Sequence, residues 1–263
     1  MNKRKTRAWK EFWDLLATSR DPIAATDRPT VSPATYQLYS TEITQKLALS
    51  KDDILLDIGC GTGIIDASLA AHVHRIFATD FSEVMTQKAR SNTAICGNVH
   101  VVTCDCTAIP FKDGAFSKLV MYAVAQYLSQ AQIGQMLGEA QRVIRPGGLI
   151  MLGEIPRARD MSLLNRIRDV WTHQGLRGVL RKTLDNLFER WLRITGRWTR
   201  QFVRPVGLSI TLHSEEVLLG LVHQRNMRGW ISRQGEKLPW FHQTFDLLIE
   251  NTLAADATEN PAS

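Results

Sequence analysis

Residues 55–63 read Leu55-Leu56-Asp57-Ile58-Gly59-Cys60-Gly61-Thr62-Gly63, an apolar run that ends in a carboxylate and continues into glycines at alternate positions. The apolar run predicts a buried strand that leads into a tight loop. Glycine has no Cβ and accepts φ values that other residues avoid, so a ligand can approach the backbone of this loop closely. The acid before the loop favours a ligand with an ammonium group over the phosphate that glycine-rich loops often bind.

The glycine spacing differs from that of the dinucleotide-binding fingerprint. In the fingerprint, G-x-G-x-x-G, a helix N-terminus receives a pyrophosphate. Here the third glycine comes one position early, and Ile64 stands where the last glycine of the fingerprint would be. The spacing therefore disfavours a nicotinamide-dependent dehydrogenase, which stays open as an alternative.

Strand and helix signals alternate from residue 53 onward. Apolar and β-branched runs predict strands near 53–58, 75–79, 99–103, 116–122 and 148–154, followed by an antiparallel pair at 229–234 and 244–250. Amphipathic runs predict helices near 63–71, 83–91, 130–143 and 214–226. We therefore expect an α/β fold with a Rossmann-like seven-stranded sheet, mostly parallel, with a C-terminal antiparallel strand pair and helices on both faces.

The 263 residues are enough for one large α/β domain with additions. In residues 1–48, aromatic side chains at helical spacing predict an N-terminal helical collar, which has either a purely structural or a substrate-binding role. The main domain is expected over 49–251, and 252–263 is expected to be a disordered tail. Within the domain the alternation lapses, and 157–208 is predicted to be an inserted helical cap with one basic face.

The net charge of +6 is concentrated in this insertion. Twelve basic and four acidic residues lie between Arg157 and Arg204, which gives about +8 for the segment and about −2 for the rest. Three interpretations are open: a solvated cap over an acceptor pocket, docking of 157–205 on an anionic membrane, and nucleic-acid binding. The aromatic residues fall at core-like spacings, so nucleic acid is the least favoured partner.

Composition sets further expectations about location and metals. No apolar stretch of about 18 residues occurs and no apolar segment follows the basic N-terminus, so we expect a cytoplasmic protein, with a position peripheral to the inner face of a membrane as the alternative. The cysteines are expected to be reduced, and their spacing matches no zinc site, so no metal is predicted. They are Cys60, Cys96, Cys104 and Cys106.

Two further acids follow predicted strands. Asp80 closes the second strand, where a carboxylate can accept both hydroxyls of a ribose. Asp105 follows the third strand, where a carboxylate can accept from an adenine amino group while the next backbone N–H, that of Cys106, donates to a ring nitrogen. These positions predict an adenosine-containing ligand beside the glycine loop.

The whole pattern over residues 50–156, with a looser match to about 251, resembles the class I S-adenosylmethionine-dependent methyltransferases of the methyltransferase type 11-like kind. The resemblance rests on Asp57–Gly63, Asp80, Asp105 and the segment 116–128. It implies S-adenosyl-L-methionine as cofactor and transfer of a methyl group to a small-molecule or lipid-like acceptor. A non-catalytic protein that binds the same cofactor as a regulator stays an alternative. The sequence predicts no oligomeric state.

The resemblance also assigns individual roles. It places Asp80 on the ribose, Phe81 and Met85 in the adenosine pocket, and the backbone near Tyr122 on the methionine part of the cofactor. The chain departs from the family pattern at Ser117, where an Asp is usual, and at 126–127, where a Gln-Tyr pair replaces a common His pair. The predicted cofactor-binding residues are Asp57, Gly59, Cys60, Gly61, Gly63, Asp80, Phe81, Met85, Asp105, Cys106 and Tyr122.

Methyl transfer is an in-line displacement that depends mainly on orientation and exclusion of water. An oxygen or nitrogen acceptor can also require a base within about 3 Å of its proton. The candidates are Glu154 at the end of the fifth strand, His213 just before the late helix, and Tyr127. Tyr36 of the collar is a further candidate for acceptor contact.

Overall fold

The computed structural model of the chain describes residues 3–18, 32–157, 210–236, 238 and 244–252. All structural statements below refer to these residues. The predicted cap at 157–208 lies outside them except for Arg157, as does the predicted tail beyond Thr252. Membrane contact through 157–205 therefore stays a prediction. No helix of the described ranges is long and apolar enough to cross a bilayer.

The described strands form a seven-stranded sheet in the order β3-β2-β1-β4-β5-β7-β6. The first five strands are parallel to their neighbours, and β7 runs antiparallel to both β5 and β6. The predicted mostly parallel sheet with a C-terminal antiparallel pair is confirmed. The strands are β1 Ile54–Ile58, β2 Arg75–Asp80, β3 Val99–Thr103, β4 Phe116–Tyr122, β5 Ile144–Pro156, β6 Arg228–Ser232 and β7 Thr244–Glu250.

Serine side chains cap the N-termini of four helices in the described ranges, where each hydroxyl accepts a backbone N–H of the first turn. At Ser129 the predicted capping box with Gln132 is present. Two short 3₁₀ turns, Ala70–His72 and Ala125–Tyr127, link helices to strands. The helices are α1 Lys3–Leu16, α2 Pro33–Lys46, α3 Ile64–Leu69, α4 Glu83–Asn92, α5 Gln130–Val143 and α6 Glu215–His223.

The two faces of the sheet carry separate apolar cores. Leu56 and Ile58 of β1 belong to the core that contains α5 and α6, whereas Leu55 belongs to the core that contains α2 and α3. Side chains alternate along a strand, so Asp57 lies on the same face as Leu55. This acid therefore points toward α3.

The fifth strand begins earlier than the predicted 148–154. Ile144 already pairs with Phe116, and the register then shifts so that Leu149 pairs with Lys118, which accommodates the turn at Pro146-Gly147. A second irregularity, between Leu152 and Ile155, interrupts the pairing of β5 with β7. The strand therefore bends near its carboxyl end, where ligands bind in such sheets.

Ser117, one departure from the family pattern, has a structural role. Its hydroxyl donates to Asp53 Oδ1 at 2.7 Å and accepts from the Ile54 amide at 3.0 Å. These bonds tie the start of β1 to β4 without an acid at position 117.

Candidate functional site

The pocket lies at the carboxyl ends of the parallel strands. The chain moves from β1 to β2 on one side and returns to β4 on the other, so the strand order reverses at β1. Ligands of open α/β sheets bind in the crevice at such a point. The space within the crevice, open solvent included, is about 1290 Å³.

The structure brings most of the predicted site residues together at this pocket and leaves four outside its lining. Asp57, Gly63, Glu154 and His213 do not line it. The predicted residues that do are Gly59, Cys60, Gly61, Asp80, Phe81, Met85, Asp105, Cys106, Tyr122 and Tyr127.

Glycine is required at the three loop positions for different structural reasons. All have positive φ, but a Cβ at Gly59 would overlap the Cγ2 methyl of Val124, and one at Gly63 would lie 3.1 Å from side-chain carbons of Ala89 and Thr93. At Gly61 nothing lies within 4 Å of the Cβ position. Gly59 and Gly63 therefore allow the loop to pack against its neighbours, while Gly61 leaves open space for a ligand.

Asp80 is held at the end of β2 by backbone amides. Its Oδ2 accepts from the Gly61 N–H at 3.0 Å and its Oδ1 from the Ser82 N–H at 2.9 Å. Burial raises the pKa of Asp80 to about 6. Each carboxylate oxygen has two lone pairs, so acceptor capacity is left for ribose hydroxyls.

Asp105 sits on an exposed turn at the pocket rim. Its Oδ1 accepts from the backbone N–H and the hydroxyl of Thr107, at 2.9 and 2.8 Å. These bonds fix the carboxylate beside Cys106, whose thiol pKa is raised to about 12 by burial. The thiol is therefore neutral, and none of the four cysteines forms a disulfide.

Aromatic rings from the predicted collar form a further part of the pocket wall. Trp9 and Trp13 of α1 pack edge-on against Tyr127, with ring centroids 4.7 and 5.2 Å apart. Tyr39 of α2 packs on Tyr122 at 5.1 Å. Sequence analysis treated Trp9 and Trp13 only as a helix face and missed them and Tyr39 as pocket residues. Their helical spacing was visible, but not the surface that they would cover.

Helix α1 is attached to the cofactor side of the pocket. Ser82 donates to Asp14 Oδ1 at 2.5 Å while its hydroxyl also caps α4 through the Met85 N–H. Lys88 donates to the Ala17 carbonyl at 3.1 Å. The helix that carries the tryptophans is therefore fixed to the residues that follow Asp80.

His213 supports the turn that carries Tyr127. Its Nε2 lies 3.1 Å from the Ala125 carbonyl and 3.2 Å from that of Leu128, so Nε2 carries the proton and donates to both. Burial lowers the pKa of this imidazole. The geometry gives His213 a supporting position behind the pocket wall.

Glu154 lies behind Tyr122 and is 5% exposed. Its φ of 55° is in the left-handed region, and its N–H donates to Asp246 Oδ1 at 2.7 Å. The Tyr122 hydroxyl accepts from Gln234 Nε2 at 3.1 Å. Burial, together with the charges of Glu154 and other nearby acids, raises the pKa of Tyr122 well above its usual range. Tyr122 is therefore a neutral wall residue.

Asp57 lies beneath the glycine loop, next to an acid that sequence analysis missed. Asp66 of α3 is fully buried, and its carboxyl is within hydrogen-bonding reach of Asp57. Asp66, Leu69 and Ala70 are all buried, at the i, i+3 and i+4 spacing of one helix face. That spacing was a signal in the sequence for an inward-pointing acid.

A sequence model of the methyltransferase domain family matches residues 55–148, which contain the glycine loop, Asp80, Asp105 and β4. The match coincides with the strands that build the pocket. Residues 55–148 thus form a methyltransferase domain, and the similar proteins are S-adenosylmethionine-dependent methyltransferases. S-adenosylmethionine is the cofactor of this family, and the acids and glycine loop of the pocket suit its ribose, adenine and ammonium groups. The match is to methyltransferases and gives no support to the dehydrogenase alternative.

Individual methyltransferases resemble the chain over part of their length. A demethylmenaquinone methyltransferase of Clavibacter sepedonicus is 33% identical over 118 residues, 45% of this chain and 47% of that protein. A malonyl-[acyl-carrier protein] O-methyltransferase of Erwinia pyrifoliae is 28% identical over 191 residues, 68% of this chain and 67% of that protein. The match to the Clavibacter enzyme thus spans about half of its length.

A solved structure shows the same fold. It is phosphoethanolamine N-methyltransferase 1 of Haemonchus contortus with phosphoethanolamine and S-adenosylhomocysteine. The TM-score is 0.69 at 15% identity, over 95% of this chain and 49% of that chain. The likeness concerns the fold alone.

Proposed function

We propose that this methyltransferase transfers the methyl group of S-adenosylmethionine to a neutral, largely apolar small-molecule or lipid-like acceptor that carries a ring. The observation that carries the proposal is the group of aromatic side chains that lines the same pocket as the glycine loop. Trp9 and Trp13 each pack edge-on against Tyr127, and all three side chains line the pocket. Such surfaces bind flat apolar groups through large buried area and ring–ring contacts.

The charges of the pocket support a neutral acceptor. Among its described lining residues, the carboxylates are Asp80 and Asp105, and no Lys, Arg or His is present. Both acids lie on the side where adenosine is expected. An anionic acceptor buried against the aromatic wall would lack a cationic partner among these residues, which is costly.

The proposed roles of the individual residues follow from their positions in the pocket. Asp80 would hold the ribose, Asp105 and the Cys106 N–H the adenine, and the glycine loop with Tyr122 the methionine part. The cofactor supplies a methyl group on a cationic sulfur, and aromatic rings stabilise cations within about 6 Å of their centroids. The protein contributes by orienting the reactants and keeping water out.

Among the three predicted bases, Tyr127 is the one that lines the pocket. We propose it as the group that contacts the acceptor's proton. His213 supports the Tyr127 turn from behind, and Glu154 does not line the pocket. The names of the relatives differ in acceptor, since one is named for demethylmenaquinone and another for a malonyl carrier protein. The proposed acceptor class therefore rests on the lining of this pocket. The relative named for demethylmenaquinone agrees with it.

The test is transfer of a deuterated methyl group. The protein is incubated with deuterium-labelled S-adenosylmethionine and a cell extract, which is then separated into organic, aqueous and macromolecular fractions for mass spectrometry. We expect a labelled product in the organic fraction that is reduced with Trp13→Ala. Label confined to the other fractions would contradict the acceptor class. Cofactor binding without labelled product would favour a non-catalytic regulator.

A further inference from the structure

Asp57 and Asp66 form a buried pair of acids beneath the glycine loop. Asp57 is 4% exposed at the end of β1, and Asp66 is fully buried on α3. Neither oxygen of Asp66 has a hydrogen-bond partner of good geometry among the described residues, although its own backbone N–H lies close to the carboxyl group. The carboxyl group of Asp57 is the partner within reach. Two carboxyl groups can bond to each other only when one of them carries a proton.

Among the described residues, no positively charged group acts on the pair. The groups that act on it are Asp80 from β2 and the neutral thiol of Cys60 from the loop. From α2, which also packs on α3, Lys46 is paired with Glu42 and Asp246. From β4, the nearby titratable group is the neutral phenol of Tyr122.

Burial opposes ionisation of both acids. It raises the pKa of Asp57 well above its usual range, with the charge of Asp66 adding to the effect. It raises the pKa of Asp66 to about 7, although its hydrogen bond with Asp57 acts in the opposite direction. Close carboxyl groups that titrate together share their protons as a unit.

We infer that Asp66 is a positioning residue of the cofactor site: it shares one proton with Asp57 when the pocket is empty, and the pair releases that proton when a cationic ligand lies on the glycine loop. The inference rests on the proposed binding of S-adenosylmethionine, whose methionine end carries an ammonium group. Gly59, Cys60 and Gly61 follow Asp57 directly and line the pocket. An ammonium at this loop would favour the ionised pair even without touching it. The proton passes to the solvent, and the pair gains the negative charge that offsets the bound cation.

The direct test is calorimetric titration with S-adenosylmethionine in buffers that differ in ionisation enthalpy. The slope of binding enthalpy against ionisation enthalpy gives the number of protons released. At about pH 6.5 the ligand's amino group is mostly protonated, so it contributes little to the slope. We expect the wild type to release about 0.3–0.8 proton and Asp66→Asn about none, while the variant still binds. Asp57→Asn is a second variant with the same expected loss of release.

Asp52→Asn is the charge-matched control, because Asp52 is an exposed acid just before β1. It should release protons as the wild type does. Binding by the wild type without proton release would overturn the inference and leave the proposed function intact. Absence of binding would overturn both. Release that persists in both Asp66→Asn and Asp57→Asn would show that the proton comes from elsewhere.

The empty protein gives a separate test of the shared proton. A carboxyl group with raised pKa contributes stability below its ordinary pKa of 3.8, and that contribution is lost as the pH rises through about 7. Urea unfolding of the wild type should therefore show a larger loss of stability over this range than Asp66→Asn, in which Asp57 is the one acid of the pair that remains. Parallel curves for the two proteins would refute the pairing without reference to any ligand.

Discussion

Replacing Gly61 by alanine should separate cofactor binding from folding. Gly61 has φ 55° and open space around the position of a Cβ, and it lines the pocket. Gly114 has φ 64° and equally open space, but it lies on an exposed turn away from the pocket. Gly114→Ala is therefore a matched control for the backbone strain. Gly59→Ala adds a third case, because its Cβ would overlap Val124.

The expected stability changes follow from this geometry. An alanine in the left-handed region costs about 1–2 kcal/mol, so Gly61→Ala and Gly114→Ala should lose that amount. This corresponds to a fall in Tm of about 2–8 °C for a domain of this size. At Gly59 the overlap adds about 1–3 kcal/mol of overpacking, for a total of about 2–5 kcal/mol.

The affinity for S-adenosylmethionine should distinguish Gly61→Ala from Gly114→Ala, since both positions have positive φ and open space around the Cβ position. A methyl group on the ligand-facing side of the loop forces a bound cofactor to shift, at a cost of about 1–3 kcal/mol. Titration calorimetry with S-adenosylmethionine should then show a loss of about 5- to 150-fold for Gly61→Ala and none for Gly114→Ala. Urea unfolding gives the stability of each variant separately. If Gly61→Ala bound as tightly as Gly114→Ala, the cofactor would not lie on this loop.

Two other substitutions test the proposed ribose contact of Asp80 and the structural role of His213 behind the pocket wall. Asp80→Ala should weaken S-adenosylmethionine binding by about 1–3 kcal/mol, because the Gly61 and Ser82 amides and the ribose hydroxyls lose an acceptor. Calorimetry measures the loss, and unchanged affinity would exclude the ribose role. The lowered pKa of His213 contributes stability above its ordinary value of 6.5 that is lost as the pH falls below it. In urea unfolding, His213→Gln should therefore lose less stability than the wild type between about pH 7 and pH 5. Its pH profile of methyl transfer should match the wild type, and a lost ionisation in that profile would instead make His213 the base.

The parts of the site that were predictable from sequence are those tied to strand ends. Asp80 and Asp105 each end an apolar run, and parallel strands place such residues at one edge of the sheet. The glycine loop was equally visible, because its spacing is a local requirement of the backbone. For these residues, position along the chain determines position in the fold.

The site residues whose roles were not predicted are those whose contacts lie far away in the sequence. The contact of Trp9 with Tyr127 joins residues more than a hundred positions apart, and no periodicity specifies it. His213 was a reasonable candidate base from its place before a helix, but its partners are the carbonyls of Ala125 and Leu128. The sequence suggested one role for all three loop glycines, close approach of a ligand. In the structure Gly61 has that open space, whereas Gly59 and Gly63 are required by close packing against neighbouring side chains.

These differences divide the site into two halves with different physical origins. The cofactor half is built from backbone turns and strand ends of the sheet. The proposed acceptor half consists of α1, α2 and the Ala125–Tyr127 turn, which side-chain contacts hold in place. Lys46, for example, fixes α2 through Asp246 of β7 and the Arg233 carbonyl. Substitutions on these helices can change the acceptor wall while leaving the glycine loop and strand-end acids in place. The same sheet can therefore keep one methyl donor while the acceptor changes.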